Sequence, residues 1–204
     1  DNIFAANNRA VALADQIGKD KVVNGTVGSM LDEEGNLIVL GVVQEEYKKL
    51  TPRQICAYAP IRGYDQFLAS CIDQCFGESR PEGYIEACAT PGGTGVLHHV
   101  IHNYAAPGEE VLITDWHWGA YDSLIDYPNC KVSTFEFLNG EGKFNIDSFK
   151  EKVNEILGKQ KNLVIILNGI ANNPTGYCMS EAEWQAAVDV LKNAVEGKDK
   201  NAIL

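Results

Sequence analysis

From residue 83 onward, apolar runs of strand length alternate with stretches of helical periodicity, and this alternation constrains the fold more than any other feature. Strands are expected at 84–89, 110–114, 130–136 and 162–168, with helices at 94–105, about 118–125, 147–158 and 180–195. A strand–helix–strand repeat specifies an α/β fold, a mostly parallel sheet with helices on both faces. Open sheets of this kind bind ligands outside the carboxyl ends of their strands. Three distinctive turns fall there. Pro91-Gly92-Gly93-Thr94-Gly95 follows Tyr84–Ala89, Trp116-His117-Trp118 follows Val111–Asp115, and Asn172-Asn173-Pro174-Thr175-Gly176 follows Leu163–Leu167.

Each turn carries chemistry beside a plainer reading. Gly92, Gly93 and Gly95 let the backbone approach an anion, and Thr94 offers an amide and a hydroxyl at a helix start, where the dipole favours negative charge. The run is neither GxGxxG nor a Walker loop, which argues against a dinucleotide or a nucleoside triphosphate, and plain turn chemistry is the alternative. An indole after a strand can stack on a flat heteroaromatic ring or simply fill the core. Asn173 sits on a turn stiffened by Pro174. Together the turns describe a ligand with a phosphate end and a polar ring end. His98 and His102 lie one turn apart on the helix beside His99, but no third ligand or HExxH acid accompanies them, so packing or surface roles outrank metal binding.

Composition narrows the partners. The 204 residues carry a formal charge of -11 with no basic stripe, which disfavours nucleic acid and anionic membranes. No apolar run approaches the roughly 20 residues of a bilayer span, and the amino terminus lacks a secretion-signal pattern, so a cytoplasmic protein is expected. The six cysteines form no CxxC pair and are expected to be reduced and mostly buried.

The first 50 residues read as irregular, with a helix around Asn8–Ile17 and a short strand at Leu37–Leu40. Thr51-Pro52-Arg53-Gln54 is a helix-start signature, and its helix should end before Pro60. Tyr64, Phe67, Leu68, Cys71, Ile72 and Cys75 follow helical spacing, with Gly77 as a stop and one face buried. Ser180 and Glu183 form a second capping box ahead of Trp184, Ala187, Val188 and Leu191 at core spacing. Ala202-Ile203-Leu204 opens another apolar run, as a strand in a longer protein would.

These residues, in this order, resemble the amino-terminal half of fold-type I pyridoxal-phosphate enzymes, specifically class I aminotransferases of the aspartate and aromatic group. The likeness runs from Asp1-Asn2-Ile3-Phe4 through Val23–Gly28, Tyr58–Gly63, Gly92–Gly95 and Trp118-Gly119 to Asn173–Gly176. It implies that 1–50 is an arm and small-domain segment and that 51–204 is the first part of a cofactor-binding large domain. It further implies pyridoxal 5'-phosphate as cofactor, with Gly92, Gly93 and Thr94 on its phosphate, Trp118 stacked on its ring and Asn173 bonded to its phenolic oxygen. Tyr58 would reach the phosphate in a neighbouring subunit, making a homodimer with shared sites, and Gly28 would lie against the substrate carboxylate. The implied reaction moves an amino group between an amino acid and a 2-oxo acid.

The resemblance departs at two positions: Gly92 stands where the family often has serine, and Tyr121 stands where the aspartate type has histidine. The family's Schiff-base lysine, pyridine-nitrogen aspartate and carboxylate-binding arginine all come later than Asn173, so these residues alone are expected not to transaminate. A lyase or decarboxylase on the same scaffold, a non-catalytic binding protein of this fold, and a phosphosugar- or nucleotide-binding module remain as alternatives.

Overall fold

The computed structural model describes residues 2–204; Asp1, the first residue of the family-like run, lies outside them. The chain divides into two compact units, Asp1–Pro60 and Ile61–Leu204.

The first unit is helical. Helix α1 (Asn2–Ile17) begins earlier than the periodicity predicts. After it, Asn24 and Thr26 donate side-chain hydrogen bonds to the Asn7 amide oxygen at 2.9 and 3.3 Å, tying the following loop back to the helix. Leu37–Leu40 does not form the expected strand. Leu37 makes a single antiparallel bridge to Leu31, closed by Asp32, whose carboxylate accepts the Asn36 amide at 2.7 Å. Helix α2 (Gly41–Lys49) follows at once. Its first turn holds the β-branched Val42 and Val43, which read locally as more of the apolar run, so the helix leaves no signal of its own. Helix α3 (Pro52–Cys56) starts at the expected box: the Thr51 hydroxyl accepts the Gln54 amide and Gln54 returns a bond to the Thr51 amide.

In the second unit, helix α4 (Asp65–Phe76) ends at Gly77 with φ +50°. Only Leu68 on it is buried; Cys71 and Ile72 are half-buried and Phe67 is exposed, a narrower buried face than the spacing predicts. Tyr84–Ala89 corrects the expected first strand: it forms no ladder, and Ala89 donates its amide to the Arg62 carbonyl instead. A strand exists only through a paired neighbour, and no strand among the described residues lies beside this segment. Helix α5 (Gly92–Tyr104) then leads to β1 (Glu110–Thr114), α6 (Ala120–Asp126), β2 (Lys131–Phe135), α7 (Ile146–Lys159), β3 (Asn162–Ile166), α8 (Glu181–Val195) and β4 (Asn201–Ile203). From β1 onward each expected element forms.

The four strands are parallel in the order β2-β1-β3-β4, with Leu112 aligned to Ser133 on one side and Ile165 on the other. Both faces are covered, as a parallel sheet requires. Alternation within each strand divides the core. Val111, Ile113 and Val164 pack with Ile101, Tyr121 and Ile125 from α5 and α6. Leu112, Leu163 and Ile165 pack with Phe149, Val153, Ala187 and Leu191 from α7 and α8. Val188, grouped with the core by its spacing, is exposed because it lies just beyond the edge of the α8 stripe. The cysteines also differ from expectation. Cys130 alone is buried, Cys71 is intermediate, and Cys56, Cys75, Cys88 and Cys178 are exposed, Cys88 and Cys178 on loops and Cys56 and Cys75 near the ends of their helices. Among the described residues no helix is long and apolar enough to cross a membrane.

Candidate functional site

The chain runs from β1 outward to β2 and then returns to place β3 on the opposite side of β1. The strand order therefore reverses between β1 and β3, and connections from their carboxyl ends diverge to leave a crevice. The loop after β1 carries Trp116-His117-Trp118, and the loop after β3 carries Asn172–Gly176. The start of α5 belongs at the same edge. Residues 105–109 join the end of α5 to the start of β1, so this helix of 13 residues, about 20 Å long, begins toward the carboxyl ends.

At that helix start, Gly92 has φ +69°, a conformation glycine adopts without strain, and donates its amide to the Thr90 carbonyl at 2.8 Å. No side chain caps the helix, and Gly92, Gly93 and Thr94 are all exposed. Open space lies beyond Gly92 and Gly93, where an added Cβ would meet nothing within 4 Å. Gly95 differs: a Cβ there would stand 2.6 Å from Pro91 Cδ and 3.2 Å from Thr90 Cβ. The turn therefore closes on itself at Gly95 and presents Gly92–Thr94 outward.

Tight hydrogen bonding shapes the loop after β1. The Asp115 carboxylate accepts the amides of Trp116 and Phe137, both at 2.9 Å, while the Thr114 hydroxyl donates to the Trp116 carbonyl at 2.6 Å. His117 Nδ1 lies 2.8 Å from the Thr114 carbonyl, and its Nε2 lies 3.1 Å from Asp122. Trp118 remains 37% exposed and Trp116 58%, so neither indole is a core residue. The Trp118 ring meets Tyr121 edge to face, with centroids 5.7 Å apart.

In the loop after β3 the two adjacent asparagines have opposite roles. Asn172 is 1% exposed; its Oδ1 accepts the Thr175 hydroxyl at 2.8 Å and the Thr175 amide at 3.2 Å, and its Nδ2 makes a long 3.5 Å bond to the Trp116 carbonyl. Its backbone carbonyl accepts the Gly176 amide at 2.6 Å. Asn173, which precedes Pro174 through a cis peptide, is exposed and keeps its amide free of these bonds. The inner asparagine locks the turn and joins it to the neighbouring loop; the outer one faces solvent.

A second anchor holds the far end of this turn. Glu183 Oε1 accepts the Tyr177 hydroxyl at 2.6 Å and the Phe144 amide at 3.0 Å, while Oε2 accepts the Ser180 amide and hydroxyl, both at 2.8 Å. Burial by itself would raise this carboxyl. The bonds from Tyr177, Ser180 and Phe144 outweigh it and hold the group at about 2.

The profile of the family described as aminotransferase class I and II matches residues 20–195, most of the chain. The chain belongs to that family. This aminotransferase-family chain is 24% identical over 174 residues to the aromatic-amino-acid aminotransferase of Pseudomonas aeruginosa, covering 81% of the chain and 42% of the relative. A crystal structure of an aminotransferase from Anaerococcus prevotii superposes with a TM-score of 0.95 at 36% identity, covering 98% of the chain and 49% of that structure. The aromatic-amino-acid aminotransferase of Burkholderia pseudomallei, solved covalently bound to pyridoxal phosphate, shares the fold at a TM-score of 0.74 and 24% identity, over 95% of this chain and 49% of that one. The chain thus spans less than half the length of these relatives.

Of the residues singled out in the sequence, Gly92–Thr94, Trp118 and Asn173 all belong to the second unit and to elements that open on its carboxyl edge. Tyr58 and Gly28 belong to the first unit. Tyr58 is fully exposed, and Gly28 has open space about it. His98 and His102 stack on each other with centroids 5.7 Å apart, and His98 also meets Tyr127. Asn172 and the second use of Glu183 carry no local signature. An Asn-Asn pair does not say which amide turns inward, and a capping box does not announce bonds to Tyr177 or Phe144.

Proposed function

We propose that this chain forms part of a pyridoxal 5'-phosphate-dependent aminotransferase that transfers an amino group between an amino acid and a 2-oxo acid. The observation that carries the proposal is the reversal of strand order between β1 and β3, with an uncapped glycine helix start, an exposed indole and an exposed amide on elements at that edge. The donor set fits the cofactor. Amides of Gly93 and Thr94 with the Thr94 hydroxyl suit a phosphate dianion at a helix start, Trp118 supplies a flat apolar face, and Asn173 supplies a hydrogen-bond donor for a phenolic oxygen. The cofactor, when bound, withdraws electrons from the substrate's α-carbon. The residues here hold it, orient its ring and set the charge around it. Because Gly92 brings no hydroxyl, phosphate binding leans on backbone amides and on Thr94.

Within the same reading, residues 1–50 form the arm and small-domain segment and 51–204 the beginning of the cofactor-binding domain. Gly28 lies toward the substrate carboxylate, and Tyr58 serves the phosphate of a second subunit in a homodimer; sedimentation of the full-length protein at a monomer mass would remove that role for Tyr58. A cytoplasmic location belongs to this proposal too and rests on the sequence; relatives are named from mitochondria and chloroplasts as well as bacteria.

The direct test treats the full-length protein, loaded with pyridoxal phosphate, with single amino acids and no oxo acid, and follows the cofactor by chromatography. Stoichiometric pyridoxamine phosphate supports the proposal and names the donor. Release of carbon dioxide or ammonia with the cofactor unchanged replaces it with a decarboxylase or lyase. Two variants test the site. Thr94→Ala is expected to weaken pyridoxal-phosphate binding about tenfold, the value of one charge-assisted hydrogen bond, as read by equilibrium dialysis; unchanged affinity removes Thr94 from the phosphate. Asn173→Ala is expected to shift the visible absorption maximum of the bound cofactor, and an identical spectrum would detach Asn173 from the ring.

A further inference from the structure

The partly exposed Trp118 indole packs against a neighbour that the proposed site does not otherwise use. Tyr121 follows it by one turn at the start of α6, is only 7% exposed, and belongs to the same core cluster as Ile113 and Val164. Its ring meets the Trp118 indole at an interplanar angle of 85° and lies nearly parallel to the His117 imidazole, with centroids 6.2 Å apart. The Trp118 amide region is also tied to it directly, since Tyr121 donates its backbone N–H to the Trp118 carbonyl at 2.9 Å.

The phenol is buried where loops from two strands adjoin. Burial raises it above the ordinary tyrosine range, and the Asn168 amide, just beyond β3, partly opposes that shift. Tyr121 therefore stands between the loop that carries Trp118 and the end of the neighbouring strand β3. An edge-to-face aromatic contact has a preferred orientation beyond the burial it provides. A half-exposed indole with no such support samples several rotamers. With it, the indole keeps one orientation against Tyr121 while remaining 37% exposed.

We propose that Tyr121 is a positioning residue that sets the plane of Trp118 for the cofactor ring, acting through the aromatic edge rather than through its hydroxyl. This inference rests on the pyridoxal-phosphate reading of the site. It assigns a mechanical role to a position where the residue type departs from the aspartate-type pattern: the ring is what matters there, and a group able to exchange a proton is not required.

The test uses the full-length protein. Near-ultraviolet circular dichroism of the cofactor-free form reports the indole, with Trp118→Leu identifying its contribution, and equilibrium dialysis reports pyridoxal-phosphate affinity. Tyr121→Phe, which keeps the ring, should retain the Trp118 dichroism and bind within twofold of the parent. Tyr121→Leu should lose that dichroism and bind about fivefold to tenfold more weakly, and Tyr121→Met is read in the same way if the leucine variant does not fold. Since Tyr121 acts through Trp118, adding Tyr121→Leu to Trp118→Leu should cost less than twofold further affinity. Tyr121→Leu with unchanged dichroism and affinity, or fully additive losses in the double variant, overturns the proposal. So does loss of affinity in Tyr121→Phe equal to that in Tyr121→Leu, which would give the role to the hydroxyl. Failure of the parent itself to bind pyridoxal phosphate overturns the functional reading, and this inference with it.

Discussion

Glu183→Ala is expected to lower the stability of the protein by about 3 kcal/mol at neutral pH, because one carboxylate serves four donors on three residues, Phe144, Tyr177 and Ser180. Its loss removes the α8 capping box, leaves the Tyr177 hydroxyl without its acceptor, and leaves the Phe144 amide only its 3.1 Å bond to the Tyr177 hydroxyl oxygen. The effect should also depend on pH in a definite direction. The folded carboxyl is held at about 2 against an ordinary value of 4.5. Its contribution is therefore fully present above about pH 4.5 and is lost as pH falls through about 2. A shift of that size corresponds to at most about 3 kcal/mol. Urea midpoints measured from pH 6 to pH 2.5 should fall more steeply for the parent than for Glu183→Gln, which cannot titrate there. Parallel curves would show that the carboxylate is not the clamp described.

The second large effect belongs to Gly95. A glycine inside a helix ordinarily gives way to alanine with a gain approaching 1 kcal/mol. At Gly95 the sign should reverse, since the new Cβ would press on the rigid ring of Pro91 at 2.6 Å and on Thr90 at 3.2 Å. Gly95→Val adds two further methyl groups to the same conflict. The Thr90–Thr94 turn must then open, and the amides it presents lose their common direction. Pyridoxal-phosphate affinity is expected to fall about 100-fold, equivalent to roughly 2.7 kcal/mol, with a lower melting temperature. Gly93→Ala supplies the contrast in stability, because open space surrounds that position, and its melting temperature should match or exceed the parent's. A Gly95→Val protein that binds the cofactor as the parent does would remove this turn from the phosphate site.

How legible the fold was depended on whether the information was local. From β1 to β4 the strands are buried on both faces or bounded by turns, and helices α7 and α8 carry full apolar stripes with capping residues at Asn145 and Ser180. Short-range pattern suffices for such elements. It fails for Tyr84–Ala89, whose apolar character is that of a strand but whose state depends on a paired neighbour. It fails also at Leu37–Val43, where a continuous apolar run breaks into a bridge and a helix with no punctuation beyond Gly41. Cysteine prefers the core as a residue type, but position on loops and near helix ends leaves four of the six thiols exposed.

The candidate site divides in the same way. Residue types and their order are enough to define the donor chemistry: glycines and a threonine at a helix start, an indole after one strand, and an asparagine on a proline turn after another. Their resemblance to class I aminotransferases was carried by that order. The reversal of strand order between β1 and β3, which brings loops far apart in the chain to one edge of the sheet, comes from long-range strand pairing. Packing likewise turns Asn172 inward and Asn173 out, sets Glu183 as the clamp at the far end of their turn, and puts Tyr121 against Trp118. Each of these depends on contacts between residues distant in sequence or on which of two like neighbours faces the core. A side chain's type sets what it can bond; only the folded chain brings the partner.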